Sequence, residues 1–537
     1  MAEVDAKSRR VAYIVSDDLV KYADLLPSNK GRSSLVHSLA YHLDLLDLSG
    51  LEDADDKGVG PSSAGRLQKA FAAHPPTQSS DDAHRQRATV HLPRAATHQQ
   101  LTSYHEESFV KQLAKGAGDL EHHSDAKRRR LNSPSSLDEE PASSDRSSHD
   151  PDTSSELQLR PSSSVTGTNR ERGYKRPRPS KNQFGLQDDC PAFSGLPQHV
   201  ALVAGAAITA ADLLATGQTD IAIAWDGGRH HAKKDSASGF CYVNDVVLAI
   251  LSLRKPRRVT TEDGRKTTKR AERVLYLDLD LHWGDGVEEA FHSSPNVLTL
   301  SIHHYAPGFF PCYAPSADPN RYTPPGSLKS DTGAGSKTLN IPLGIGTSDA
   351  SLERVLTSNV EPLVEAWQPK MVVVQCGVDG LAGDPMAVWN LSAAAYVRAI
   401  QRVLGWNKPT LLLGGGGYCS ENAARCWTLI TAACLGRFEE RDHSKRKADV
   451  AATQDEPRAL TESDPSQKEE SSEDSTSSSL ETISYDTAIP DHKFWPNYAP
   501  TYTLDAPAGE MIDQNDEAHF EAINKVFLEH IKKASSH

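Results

Sequence analysis

The chain has 537 residues, a formal charge of −14 and 37% hydrophobic residues. That hydrophobic share is low for a wholly globular chain and implies stretches unable to fold alone. There is no run of about 18 apolar residues, so no membrane span is expected, and the opening MAEVDAKSRR lacks the apolar centre of a secretion signal.

In chain order, the first buried-strand signal is VAYIV (11–15), followed by a stretch at about 50–93 rich in Gly, Ser, Ala, Asp and Pro. A second polar stretch, about 117–182, includes SSDRSSHDPDTSSELQLRPSSS. Both hold too little apolar surface to offset chain entropy and read as disordered insertions. Helical spacing then covers about 198–216, IAIAW (221–225) reads as a strand, and a helix follows at about 240–253. VLYLDL (274–279) and VLTLSI (297–302) are strands, about 351–367 a helix, and MVVVQC (371–376) a strand. A helix at about 392–405, a strand TLLLG (410–414) and a helix at about 421–435 complete the alternation. A third polar stretch, about 437–484, precedes an amphipathic helix at 517–534. Short apolar runs alternating with helices imply an α/β fold. The expectation is a single open-sided domain over 9–535, with a central, mostly parallel β-sheet flanked by helices and interrupted by the three insertions.

In open parallel sheets, ligands gather outside the carboxyl ends of the strands. Here IAIAW runs into DGGRHH, VLYLDL into DLHWGDG, MVVVQC into GVDGLAGD, and TLLLG into GGGY. Asp280 and His282 stand two apart at a strand end, so both side chains face one way and can grip one ion. A third ligand would complete a catalytic zinc site with an open position. Asp379 and Asp384 are the candidates in the next loop, and the residues themselves do not decide between them. The cysteines (Cys190, Cys241, Cys312, Cys376, Cys419, Cys426 and Cys434) show no C-x-x-C pair, so they read as reduced, mostly buried thiols of an intracellular protein.

His230 and His231 follow a Gly-Gly turn, and Asp278 and Asp285 flank the ligand pair. A carboxylate behind each imidazole fixes its tautomer and raises its basicity, preparing one histidine to take a proton from water on the metal. Tyr418 closes GGGGY between a strand and a helix, where a phenol donor would stabilise an oxyanion. No Lys-Ser/Thr follows the glycines, which excludes a P-loop.

These motifs resemble the class I zinc-dependent histone deacetylases, members of the arginase–deacetylase superfamily. GRSSLVHSL, DDCPAFSG, WDGGRHHAKKDSASGFCYVND, DLDLHWGDGVEEAF, SIHHYAPGFFP, AGDPM, GGGGYCSENAARCW and IPDH occur in family order, and WDGGRHH looks closest to fungal members. The resemblance implies zinc on Asp280, His282 and Asp384, with iron(II) an alternative for such a donor set. It implies His231 as general base and then acid, backed by Asp285, and His230 as electrostatic partner, backed by Asp278. Tyr418 would polarise the acetyl carbonyl. Gly239, Phe240 and Phe310 would wall an acetyl-lysine tunnel with Leu391 at its rim, Asp189 would hold the substrate backbone, and Arg32 would lie beside an acetate exit. A potassium ion is implied near Asp278, Ser301 and the backbone of Asp280, His282 and Ile302. Two departures stand out: Asp188 replaces an aromatic that members often carry, and Trp283 a second histidine.

The resemblance further implies acetylated histone tails or other acetylated nuclear proteins as substrates, and corepressor complexes as partners. KRRR (127–130) and YKRPRPSK (174–181) read as nuclear localisation signals, while net acidity argues against general DNA binding by the whole protein, and no direct sequence-specific nucleic-acid binding is expected. The acidic, serine-rich run 463–480 is a candidate for phosphorylation or basic partners. Two other functions compete: a deacetylase of small molecules such as acetylpolyamines, and a non-catalytic scaffold. The second would be expected to lack a metal ligand or the tyrosine.

Overall fold

Every pairing in the central sheet is parallel. The computed structural model describes residues 9–51, 62–71, 85–115, 184–260, 264–312, 326–328, 337–440 and 482–536. In chain order the strands are β1 (Val11–Ile14), β2 (Leu46–Asp47), β3 (Ala88–His91), β4 (Ile221–Ala224), β5 (Arg257–Thr260), β6 (Lys266–Lys269), β7 (Val274–Asp278), β8 (Val297–His304), β9 (Thr338–Leu343), β10 (Met371–Gln375) and β11 (Thr410–Leu413). Nine of them form one sheet in the order β2-β3-β1-β4-β11-β10-β7-β8-β9, and β5 pairs with β6 in a separate antiparallel hairpin.

The apolar runs become strands because both faces of the sheet are covered. Along β1, Val11 and Tyr13 enter one core while Ala12 and Ile14 enter another, and β7 divides Leu275 and Leu277 from Val274 and Tyr276 in the same way. Each fully buried side chain of this kind contributes roughly 1.5–3 kcal/mol. The second face is built from small residues. Ala222 and Ala224 of β4 meet Ala206, Ala207, Ala210 and Ala211 of the helix Leu196–Ala215, so helix and sheet approach closely. That helix is long and apolar enough to cross a membrane by length and composition, but 61% of its apolar window is buried inside the fold.

The strand expectations hold, and two helices differ in instructive ways. The helix expected from 240 starts at Asp245, where the Asn244 side chain caps it by accepting from Val247 N at 3.0 Å. The helix expected at 351–367 is three pieces: Asp349–Val355, a π-helical turn Leu356–Val360, and Glu361–Trp367. Pro362 lacks the N–H that an unbroken helix needs, and a wider turn absorbs the defect. The C-terminal helix Glu517–Ser535 forms as its pattern indicates, capped by Asp516.

One boundary needs correction. The insertion expected at about 50–93 contains the helix Ser63–Phe71 and strand β3, which sits inside the sheet between β2 and β1. Ala88 and Val90 of β3 are buried, as are Leu67 and Phe71 of the helix, so this segment adds to the core. Most of the other two stretches, including 127–130, 174–181 and 463–480, lies outside the described residues. Phe438 and Ile483 bridge at the two ends of the third, closing it against the domain.

His105 ties the loop after β4 in place. Its Nδ1 donates to Lys233 O at 3.0 Å, and its Nε2 accepts from Asn244 N at 3.0 Å. Only the neutral ring can do both, and burial pushes its pKa down to about 4 from an ordinary 6.5. A folded-state pKa below the unfolded one gives stability that is complete above about pH 6.5 and is lost as pH falls towards 4. This site should therefore cost the fold about 2 kcal/mol at pH 5 relative to pH 7.5. Thermal melts of His105→Gln, which keeps a donor and an acceptor but does not titrate, should show a smaller acid-induced drop than the parent. An equal drop would refute this role.

Candidate metal centre and catalytic cleft

Four strand ends stand in one row, with the interior of β8 beside them: Ala224 of β4 pairs with Leu413 of β11, Leu413 with Gln375 of β10, Gln375 with Asp278 of β7, and Asp278 with Ser301 of β8. The segments leaving these ends carry the polar motifs, and the register brings them together.

Asp280, His282 and Asp379 each offer a ligand atom within 4.8 Å of the other two, and all three residues are buried. His282 Nδ1 lies 3.2 Å from Asp280 Oδ1 and 2.9 Å from Asp379 Oδ2. Gln375 Nε2 and Gly416 N both donate to Asp280 Oδ2, at 2.7 and 2.8 Å. Leu281 N donates to Asp379 Oδ1 at 2.9 Å. Burial, reinforced by the charge of Asp280, pushes Asp379 up to about 7. Burial disfavours charge on His282, but its bonds to Asp280 and Asp379 prevail and raise it to about 10. Two buried carboxylates thus converge on one positive charge. An Asp/His/Asp donor set of this kind fits a divalent cation such as zinc, with coordination positions left for water or substrate.

The carboxylate that closes this cluster is Asp379; Asp384, the ligand that the resemblance implies, lies close enough to Asp280 to feel its charge. Asp384 Oδ2 accepts from the backbone N–H groups of Tyr418 and Cys419, at 2.7 and 3.3 Å, and its Oδ1 accepts from Met386 N at 2.9 Å. It therefore ties its own loop to the start of the helix Ser420–Cys434. The chain turns twice after Asp379, through Leu381 N to Val378 O and Asp384 N to Leu381 O.

Glycines let these elements touch. A Cβ on Gly377 would lie 2.0 Å from Asp280 Oδ2, and one on Gly416 would lie 2.2 Å from Asp379 Oδ2. The GGGGY run is thus as much a close-packing device for the carboxylates as a turn that directs Tyr418.

Beside the cluster, His230 and His231 pack with ring centroids 3.9 Å apart. His230 Nδ1 bonds Asp278 at 2.8 Å, and His231 Nδ1 bonds Asp285 at 2.8 Å. Burial opposes charge on both rings, with different outcomes. Asp278 and Asp280 outweigh burial at His230 and raise it to about 9. At His231 burial and the neighbouring His230 charge prevail, lowering it to about 3 despite Asp285. Asp285 does raise His231, as a carboxylate behind an imidazole should, but burial and the His230 charge outweigh it. One contact was not read from the sequence: Lys233 Nζ sits 2.5 Å from Asp285 Oδ2 and helps hold that carboxyl below its ordinary range. Lys233 and Gln375 are the polar residues that sequence reasoning missed. Their only signals were a lysine two after the His pair and a glutamine closing an apolar strand.

Gly239, Phe240, His230, His231, Asp280 and Tyr418 line one cleft, which continues inward to Asn29 and Arg229. Phe240 lies edge-on to Tyr418 at 5.7 Å, and Phe310 edge-on to His231 at 4.8 Å. Phe240 holds φ 62, a strained backbone for a non-glycine residue, and a Cβ on Gly239 would fall 2.4 Å from the His231 ring. Asp189 Oδ2 accepts from Gly239 N at 2.8 Å and is itself exposed at the surface. Arg32 is buried, donates to Gly417 O at 2.8 Å and lies over Trp427. Burial and the charges of Asp379 and Asp280 push the Tyr418 phenol well above its ordinary pKa, keeping its proton available to donate.

Leu391, expected at a rim, is fully buried. Its bridge to Leu381 and the bond from its N–H to Gly380 O draw it into the core, where it cannot line an opening.

A family model described as Histone deacetylase domain matches residues 61–434. Histone deacetylase 8 of Danio rerio is 36% identical over 348 residues, which span 64% of this chain and 73% of that protein. Histone deacetylase 8 of Xenopus tropicalis is 36% identical over 358 residues, spanning 66% of this chain and 77% of that protein. Histone deacetylase 1 of Homo sapiens is 42% identical over 256 residues, 47% of each chain.

The Asp379 and Asp384 geometries separate cleanly by metal analysis. Asp379→Ala should lose most of the bound divalent metal measured by elemental analysis, while Asp384→Ala should keep it. The reverse pattern would contradict the cluster.

Proposed function

The chain belongs to the histone deacetylase family, and from that premise we propose that Asp280, His282 and Asp379 hold the ion beside which it cleaves acetyl-lysine. Membership makes it a zinc-dependent hydrolase that removes acetyl groups from lysine side chains. The observation that most supports this site is the adjacent pair of histidines, one favoured as a cation and one as a neutral base, beside the Asp/His/Asp cluster.

When bound, zinc or iron(II) supplies Lewis acidity that polarises a carbonyl and eases loss of a proton from water near neutral pH. The chain's own groups carry the rest. His231 donates its Nδ1 proton to Asp285, which leaves Nε2 as a lone pair able to accept the proton of the attacking water. As oxygen bonds to the acetyl carbon, the carbonyl oxygen gains charge and the Tyr418 phenol donates to it. The carbon–nitrogen bond then breaks, His231 returns its proton to the departing lysine amine, and acetate remains. Cationic His230, held by Asp278, supplies a fixed positive charge beside these steps.

The same reading assigns Phe240 and Phe310 to the two sides of the lysine stem. Acetylation removes the charge that would otherwise keep that stem in water. Asp189 lies at the cleft's edge, where it would hold the peptide backbone, and Arg32 lies close behind Tyr418. A potassium ion beside Asp278, Ser301 and the Ile302 carbonyl belongs to this proposal, supported by the register of β7 with β8. Acetylated histones are the substrate kind that the relatives' names point to. Nuclear residence and corepressor partners follow as proposals. Presence of the full histidine, aspartate and tyrosine set favours catalysis over a silent scaffold.

Three outcomes are expected. Purified protein should turn over acetyl-lysine peptides in preference to acetylpolyamines, with loss of activity under a hydroxamate chelator; equal use of both substrates would favour the small-molecule reading. Tyr418→Phe should retain metal yet lose about 10²–10³ in kcat, and unchanged turnover would remove the oxyanion role. Gly239→Ala should fold but lose peptide turnover more than about tenfold, since its methyl group collides with His231; wild-type kinetics would show that the cleft is not the substrate path.

A further inference from the structure

At the opposite edge of the sheet from the metal cluster lies a second concavity with different chemistry. A cavity of about 530 Å³ opens beside Lys255, Arg257, Arg270, Lys370 and Met371, with Glu272 as its acidic lining residue. Met371 begins β10, and Arg270 precedes β7, so this is the amino-terminal edge. The length of β7 separates the two sites by roughly 15 Å.

The β5–β6 hairpin stands at this cavity and lies outside the main sheet. The segment 254–273, RKPRRVTTEDGRKTTKRAER, holds nine basic and three acidic residues in a chain of net charge −14. Arg257 is held by Asp212. Lys255, Arg258, Lys266, Arg270 and Lys370 are exposed, and none has an ion-pair partner among the described residues. Crowding reaches inward too: burial and Arg270 lower the Arg254 pKa, and burial and Arg273 lower that of Lys337. Five exposed cations without an ion-pair partner among the described residues, on and beside an isolated two-stranded ribbon, suit an external polyanion. Their spread along the ribbon, its foot and the cavity rim matches a linear array of charges rather than one compact ion.

We propose that the β5–β6 hairpin and the basic cavity at its foot bind the phosphodiester backbone of a duplex nucleic acid, without reading its sequence. The cations supply contacts to successive phosphates, and release of counterions drives association. Because this surface lies at the far edge of the sheet, a duplex can be held there while the cleft is occupied.

The test uses the full chain and a fluorescent DNA duplex of arbitrary sequence, with anisotropy measured across a salt series. The variant combines Arg258→Glu, Lys266→Glu and Arg270→Glu; a second combines Arg258→Gln, Lys266→Gln and Arg270→Gln. Both relieve like-charge crowding, so folding is preserved, and a melt verifies it. The basic clusters at 127–130 and 174–181 stay intact in both. The expected result is at least tenfold weaker binding in the reversed variant, with the log–log salt slope reduced by about 3. The neutral variant should fall between, and turnover of a free acetyl-lysine peptide should be unchanged in both. Duplex binding within twofold of the parent would overturn the proposal. So would tight binding of tripolyphosphate by a parent chain that does not bind the duplex.

Discussion

Two buried carboxylates converge on a single imidazole, and the rest of the site is arranged around that fact. Asp280 and Asp379 would repel each other strongly in a dry interior, where a charge without a partner costs several kcal/mol. His282 lies between them, and Gln375, Gly416 and Leu281 supply the neutral donors that occupy their remaining lone pairs. Such a cluster is stable with a cation at its centre and expensive without one. The cluster is thus a group of donors that could hold a metal ion.

The parallel sheet makes this convergence possible. Strands β4, β11, β10 and β7 are contiguous, their ends are in register, and each passes directly into a polar loop. The energy that holds the loops is spent far from the reaction, in the two apolar layers on either side of the sheet. Further anchors come from outside the four strands. His105 fixes the loop carrying the histidine pair, and Lys233 neutralises the carboxylate behind one of them. Neighbouring imidazoles thereby acquire opposite tendencies, a cation beside a neutral base, from surroundings that differ by a few contacts.

Much of this was legible in the sequence because buried strands leave continuous apolar runs. The six strands read that way are all present, and the motifs at their ends do meet. What escaped reading lacked such a signature. Strand β3, ATVH, is short and sits in a polar stretch, yet it pairs with β1 and β2 inside the sheet. Strand β9 contains Pro342, which reads as a breaker but is tolerated because β9 is at the edge. The choice between Asp379 and Asp384 depends on the path of a loop, which spacing does not encode. Leu391 was misplaced for the same reason: a single bridge to Leu381 turns it inward. The β5–β6 hairpin carried its charge openly, but only the structure separates it from the main sheet and places a cavity at its foot.

The central claim is that one divalent ion is held by Asp280, His282 and Asp379. Anomalous diffraction from crystals of the zinc-loaded protein, recorded on both sides of the zinc absorption edge, tests it most directly. The account predicts one strong peak about 2.0–2.2 Å from the His282 nitrogen and from carboxylate oxygens of both aspartates. A peak coordinated by Asp384 in place of Asp379, or no peak at this cluster, would contradict it.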